Sequence, residues 1–322
     1  MPGDMLQVSH DGRRFRIAGH RGEAGLGALL KWQFSGGRVR WPARVENRPH
    51  SPPPQRVTGT DLLATWIGQS TVLLQTAGVN ILTDPFLSQR ASPVPFMGPR
   101  RARPPALTAE TMPPIDIILL SHNHYDHLDL PGLRSIARHH APHVVTPLGN
   151  ARLVQRASGR FTVDELPWGG TARVHGLHIH VAPALHWSKR GLFDANTALW
   201  GAFVIETPGG VLYFAGDTGY GAGAAFAGLK ERFGAPRLSL LPIGAYEPRW
   251  FMAPQHMNPD EAVMAHRALS SRTSLAIHHG TVQLTDEAID APVAALQAAL
   301  NRHAVDPGRF LVPDAGQVVS IG

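Results

Sequence analysis

The chain has 322 residues, a formal net charge of +6, 43% hydrophobic and 17% charged residues, and no cysteine. That length and apolar content exclude a disordered chain and suffice for one large domain or two ordinary ones. Without cysteine there is neither a disulfide framework nor a thiolate zinc site, so a transition metal would have to be held by imidazole and carboxylate.

The N-terminal segment lacks the apolar core of a signal peptide, and no apolar run approaches the ~20 residues that span a bilayer, so a cytoplasmic protein is the expectation. Basic residues cluster tightly only at Arg13-Arg14-Phe15-Arg16 and Arg100-Arg101-Ala102-Arg103. No ordered nucleic-acid motif accompanies them, so they are expected to be solvated surface, and no nucleic-acid partner is expected. Residues 1–57 are expected to form an extension packing on a core domain of 58–322, because they close on Ser51-Pro52-Pro53-Pro54, a stiff linker signal. Inside the extension, Leu26, Leu29, Leu30 and Phe34 share one helical stripe, with Trp32 nearby. The pattern predicts a short helix docked on the main domain in preference to a membrane-surface anchor.

From Asp61 onward strands dominate. Thr71–Gln75, a Thr76-Ala77-Gly78 turn and Asn80–Asp84 predict a hairpin whose second strand ends on a carboxylate. Ile115–Leu120 reads as a buried strand, followed after a polar loop by a helix over Pro131–His139. A second succession follows: strands across 171–182, 199–207 and 210–215, a helix near 222–233 stopped by Gly234, and a strand at Leu238–Ile243. Asn258-Pro259-Asp260-Glu261 is a helix start with an N-cap, a proline at the first helical position and a glutamate reaching back. A strand at Ser274–His278 and a helix at Pro292–His303 close the chain. Two such successions predict two packed sheets with helices outside. There is no GxGxxG and no P-loop, hence no local support for nucleotide binding.

The loop after the Ile115–Leu120 strand is Ser121-His122-Asn123-His124-Tyr125-Asp126-His127-Leu128-Asp129. His122 and His124 are two apart at the end of a strand, so in extended chain their imidazoles point the same way and can chelate one ion. Asp126 and His127 follow a turn and can serve a second position. Further donors lie after later strands: His186, Asp217 in Gly216-Asp217-Thr218-Gly219, and the pair His278 and His279. Singly each has an ordinary structural reading; together, all at strand ends, they complete a metal constellation.

The order TDP, HxHxDH, His, GDTGY, His resembles the metallo-β-lactamase-fold hydrolases. That resemblance implies an α/β chain folded as a four-layer αββα sandwich with metals at one end of the paired sheets. The stretches LTDPFLSQRASPVPFMGPRRARPP, PPIDIILLSHNHYDHLD, HWSKRGLFDANTALWG, FAGDTGYG and LPIGAYEPRWFM are similar to the N-acylphosphatidylethanolamine-hydrolysing phospholipase D branch. The implied reaction cleaves a phospholipid phosphodiester to phosphatidic acid and an N-acylethanolamine. Carried over, His122, His124 and His186 hold one Zn2+, Asp126, His127 and His278 hold the other, and Asp217 bridges; another divalent transition metal is the alternative cofactor. Asp84 would fix a ligand tautomer from behind. Two departures stand near the site: Gln69 where the family usually has His, and His279 where it usually has Trp.

The implied mechanism uses a bridging water whose pKa falls from 15.7 to about 7, with Asp126 as the catalytic residue that orients it and accepts its proton. The segment 242–252 is expected to form the substrate wall, with Tyr246, Trp250 and Arg249, the last meeting a phosphate; His256 is expected on the substrate side as an acid. Expected partners are a phospholipid or other phosphodiester, a membrane surface touched peripherally, and a second copy of the chain. The alternatives are a lactonase or other ester hydrolase on the same metals, and a metal-binding regulatory protein without activity.

Overall fold

The short apolar strands and glycine-containing turns resolve into two seven-stranded sheets lying face to face. The computed structural model describes residues 6–20, 25–34 and 36–322, and the side chain of Leu26 also lies outside the described set.

The chain starts with a small antiparallel hairpin, β1 (Val8–His10) and β2 (Phe15–Ile17), followed by α1 (Leu26–Gln33). The first half of the core then runs β3 (Leu62–Gly68), β4 (Thr71–Thr76), β5 (Val79–Thr83), β6 (Ile117–Leu119), α2 (Leu130–His139), β7 (His143–Pro147), α3 (Ala151–Ala157) and β8 (Thr162–Leu166). The second half runs β9 (Thr171–Val174), β10 (Leu177–Ala182), β11 (Ala202–Thr207), β12 (Gly210–Phe214), α4 (Ala224–Phe233), β13 (Leu238–Pro242), α5 (Arg249–Met252), α6 (Pro259–Leu269), β14 (Thr273–Ile277), α7 (Ala291–Arg302) and β15 (Phe310–Leu311). The last strand, β16 (Val318–Ser320), leaves the second sheet and pairs antiparallel with β3 of the first. Strand orders are β16-β3-β4-β5-β6-β7-β8 and β15-β14-β13-β12-β11-β10-β9.

Three packed interfaces make four layers. Between the sheets, Leu62, Trp66, Leu74, Ile117 and Val145 meet Ile179, Phe203, Phe214, Leu240 and Leu275. Outside the first sheet, Leu73, Leu82 and Ile118 receive Leu133 and Ile136 of α2 and Val154 of α3. Outside the second, Val204, Tyr213 and Leu241 receive Phe226, Val263 and Leu296 from α4, α6 and α7. Strands buried on both faces explain why so many read as continuous apolar runs instead of alternating ones.

Local chemistry sets the connections. Ala77 and Gly78, both at positive φ, make the tight turn joining β4 to β5. His175 and Gly176, also at positive φ, break the 171–182 stretch into the β9–β10 hairpin. The Asn258 start forms a full capping box: Asn258 Oδ1 accepts from the Glu261 amide at 2.8 Å and Glu261 Oε2 accepts from the Asn258 amide at 2.9 Å.

Two expectations change. Of the α1 stripe, the described side chains of Leu29, Leu30 and Phe34 are 38%, 47% and 85% exposed. Trp32 holds the helix instead, because its indole N–H reaches Asp286 Oδ2 at 2.8 Å and its ring lies 5.0 Å from Phe251. Arg101, expected at the surface, is 3% exposed and donates to the carbonyls of Ser88, Arg103 and Phe86. Those three carbonyls repay the guanidinium's desolvation and knit the 86–103 loop. Along 36–57, Val39 and Val45 donate backbone hydrogen bonds to Asp286 and Ala102, and Trp41 donates to the Glu287 carbonyl.

Candidate metal centre

The site forms where β5, β6, β10, β12, β13 and β14 end. Asp84, just past β5, is buried and accepts three hydrogen bonds: from the Ser121 amide at 2.7 Å, from Ser121 Oγ at 2.5 Å and from His127 Nδ1 at 2.6 Å. The Ser121 hydroxyl spends its proton on Asp84, so His122 Nδ1 must donate to Ser121 Oγ, 2.9 Å away. One carboxylate thereby fixes the Nδ1 side of His122 and His127, leaving both Nε2 atoms facing inward. His186 is fixed in the same sense by donating from Nδ1 to the Gln255 carbonyl at 3.0 Å.

The inward atoms form two sets. His122 Nε2 lies 2.9 Å from His124 Nδ1, which lies 3.2 Å from His186 Nε2. Asp126 Oδ2 lies 3.3 Å from His127 Nε2 and 3.2 Å from His278 Nε2. Asp217 Oδ2 stands between them, 3.1 Å from His127 and His278 and 3.8–3.9 Å from His186 and His122. Nitrogens sharing one tetrahedral zinc at 2.0–2.1 Å are about 3.3 Å apart. The donor set and its spacing therefore fit a cation in each set, and the buried Asp217 Oδ1 has no hydrogen-bond partner among the described residues.

Electrostatics divide the histidines. Burial, reinforced by neighbouring imidazoles, holds His122 well below the ordinary histidine value, His124 at about 3 and His186 at about 4, keeping their lone pairs free. For His127 and His278 burial also pushes downward, but Asp217 and Asp126 outweigh it, leaving His127 well above its ordinary value and His278 raised to about 9. Burial pushes Asp126 and Asp217 up, and the facing His127 more than reverses this, holding both well below the usual carboxylate range.

His278 and His279 separate because His278 takes a left-handed backbone, φ 58°. The chain turns between them, so His278 enters the cluster while the His279 ring stacks on Trp66 with centroids 4.7 Å apart. Gly244 permits this turn, since a Cβ there would collide with the His278 carbonyl.

The residues expected at the substrate wall divide differently. His256 joins the cluster, with Nδ1 4.0 Å from Asp217 Oδ2, and burial holds it well below the ordinary value. Arg249 turns away from the cluster and is gripped by Glu261 at 2.7 and 2.9 Å and by the His256 carbonyl at 3.0 Å. Tyr246 is buried, and Trp250 is half-exposed beside Lys31. Asp129, the last carboxylate of the histidine-rich loop, serves Leu87 and Ser88 instead. Sequence reading did not single out Ser121 as a tautomer relay. Nor did it identify Arg190, which binds the carbonyls of Asn123 and Leu128 at 2.8 and 2.6 Å and lies over Tyr125. A serine or a distant arginine carries no local signal for such a role.

Fold and site together define a metal-dependent hydrolase of the β-lactamase fold: a beta-lactamase superfamily domain matches residues 79–279. An archaeal metallo hydrolase of Ignicoccus hospitalis, Igni18, shares the fold with a TM-score of 0.59 at 21% identity, covering 81% of this chain and 99% of that one. The chain is 38% identical over 269 residues to N-acyl-phosphatidylethanolamine-hydrolyzing phospholipase D 1 of Caenorhabditis elegans, covering 80% of this chain and 75% of the relative. It is also 38% identical over 239 residues to the mitochondrial enzyme of that name in Saccharomyces cerevisiae, covering 72% of this chain and 50% of the relative. The chain belongs to the metallo-β-lactamase superfamily and is a homologue of its N-acylphosphatidylethanolamine-hydrolysing phospholipases D.

Proposed function

We propose that the chain is a dinuclear zinc hydrolase that cleaves the phosphodiester of N-acylphosphatidylethanolamine-like phospholipids. The observation that carries this reading is the Asp217 carboxylate oxygen set between two groups of inward-facing donors. His122, His124 and His186 would hold one ion and Asp126, His127 and His278 the other, with Asp217 shared. Bound there, the ions supply Lewis acidity toward the phosphoryl oxygens and lower the pKa of a coordinated water.

The protein's part is orientation and proton transfer. Asp84 holds the His122 and His127 rings in their ligating tautomers. In the reaction an O–P bond forms from water and the P–O bond to the N-acylethanolamine breaks. Asp126 takes the proton of the attacking water, and that proton passes to the departing oxygen. His256, neutral and facing the shared carboxylate, offers a hydrogen bond on the substrate side.

Substrate approaches along the face carrying Tyr246 and Trp250. Beside it, Lys31 of α1 sits 4.8 Å from the Trp250 ring, and Leu29, Leu30 and Phe34 of the same segment expose apolar surface. This supports peripheral contact of a cytoplasmic protein with a lipid surface. No helix among the described residues is long and apolar enough to cross a membrane. The hydrogen bonds of Val39, Trp41 and Val45 lay residues 39–45 against the 58–322 domain, which supports reading 1–57 as an extension packing on it.

The test is metal analysis of purified protein, then turnover of the zinc-loaded enzyme on a phosphodiester, a lactone and a phospholipid panel. Two ions per chain and preferential release of phosphatidic acid are expected. Asp126→Asn should lower kcat by about 10²–10⁴-fold, the usual contribution of a general base. One ion or none, or hydrolysis of the lactone alone, would overturn the reading.

A further inference from the structure

Gln69 occupies the turn between β3 and β4 and is 1% exposed, an unusual place for an amide. A register shift between Trp66 and Gly68 turns the chain inward there, and Gln69 adopts a left-handed backbone, φ 54°. For a residue with a Cβ this conformation costs on the order of 1 kcal/mol, so the surroundings must hold it. They do so at three points. The Gln69 amide donates to Thr281 Oγ1 at 2.7 Å, and its carbonyl accepts from Trp66 Nε1 at 2.8 Å and from the His278 amide at 2.9 Å.

With its main chain pinned, the side chain has one hydrogen-bond partner among the described residues: Gln69 Nε2 donates to Asp126 Oδ2 at 2.8 Å, with both groups buried. A carboxylate can only accept, so the amide nitrogen must be the atom facing it. Gln69 thus grips His278 through its backbone and Asp126 through its side chain, and these two residues come from opposite halves of the chain.

We propose that Gln69 is the positioning residue of Asp126. It is a neutral donor that fixes the carboxylate's orientation toward the His127–His278 side of the cluster without adding a charge. The role deepens the metal-hydrolase reading and rests on Asp126 being both donor to an ion and proton acceptor. An uncharged N–H suits the position: it orders the carboxylate while leaving its negative charge available to a cation, whereas a fixed cation there would compete for it.

The experiment compares the full chain with Gln69→Leu, which removes the donor at similar volume, and Gln69→His, whose neutral imidazole restores an N–H. Three quantities are measured: zinc affinity of metal-stripped protein against a chromophoric chelator, kcat and KM on bis(p-nitrophenyl) phosphate, and Tm. For Gln69→Leu we expect the weaker zinc affinity and kcat each to fall about 10–100-fold, the range for outer partners of metal ligands, with KM within about twofold. Gln69→His should recover most of both. The proposal is overturned if Gln69→Leu keeps wild-type affinity and kcat, or if both variants lose function in step with Tm. If Gln69→Leu does not fold, Gln69→Met, unbranched like glutamine and lacking the N–H, takes its place. If the wild type does not hydrolyse the diester, the phosphodiesterase reading fails, and the zinc affinity series alone decides the role of Gln69.

Discussion

His127 Nδ1 donates to Asp84 Oδ2 at 2.6 Å, and neither side chain is exposed. The same Asp84 oxygen takes the Ser121 hydroxyl that receives His122, so this one carboxylate orders imidazoles assigned to both ions. Asp84→Ala should therefore weaken both, by about 10–100-fold in affinity. Chelator competition on the purified variant measures this, and an unchanged affinity for either ion would break the relay through Ser121.

Replacing the adjacent histidines singly separates ligand from packing. His278→Ala should lower metal content and abolish turnover, because it removes the ring 3.1 Å from Asp217. His279→Ala should keep its metal and lose about 1 kcal/mol of stability with the Trp66 stack. Elemental analysis beside thermal melts gives both readings, and the opposite pattern would shift the assignment by one residue.

Arg249→Ala is expected to be a stability variant. The guanidinium's bidentate pair with Glu261 ties α5 to the capping box of α6. Its loss should cost about 1–2 kcal/mol while leaving KM for a phosphodiester within twofold. A large rise in KM at unchanged Tm would instead make Arg249 a substrate ligand.

His266 predicts an acid sensitivity far from the metals. Its Nδ1 bonds Ser274 Oγ at 2.8 Å, and burial, aided by Arg309, holds it at about 4 instead of 6.5. The unfolded chain takes up this proton near pH 6.5 and the folded chain only near 4, so the unfolded state binds more protons in between. Stability should fall as pH drops through that window, by up to about 3 kcal/mol from this group. His266→Asn, which does not titrate, should show a smaller loss between pH 7 and 4.5 in urea denaturation.

The strand-end histidines were legible because metal donors cluster in sequence at His122–His127 and because buried strands announce where they stop. Asp217 and His278 were legible only as donors of the right kind after strands; their convergence depends on two sheets packing, which no local pattern encodes. The partner of Arg249 was not legible: the same charge that suits a phosphate also suits Glu261, and the capping box brings that carboxylate within reach. The α1 stripe misled because periodicity records which residues share a face, not which face finds a partner; Trp32, off the stripe, had a carboxylate to meet. Gln69 stood out only as a departure from a family pattern, since the turn that buries it depends on a bulge.

The crossing of β16 from one sheet to the other has a consequence for solubility. Val318, Val319 and Ser320 occupy the otherwise open flank of β3, and Arg237 clasps the carbonyls of Ile321 and Gly322 behind them. Were this strand to peel away, β3 would present a row of unsatisfied amides and carbonyls on a segment rich in Leu62, Leu63, Trp66 and Ile67, the kind of surface on which a neighbouring chain adds a strand of its own. β16 thus covers the flank to which another chain could add a strand, and Arg237 holds the residues that follow it in place.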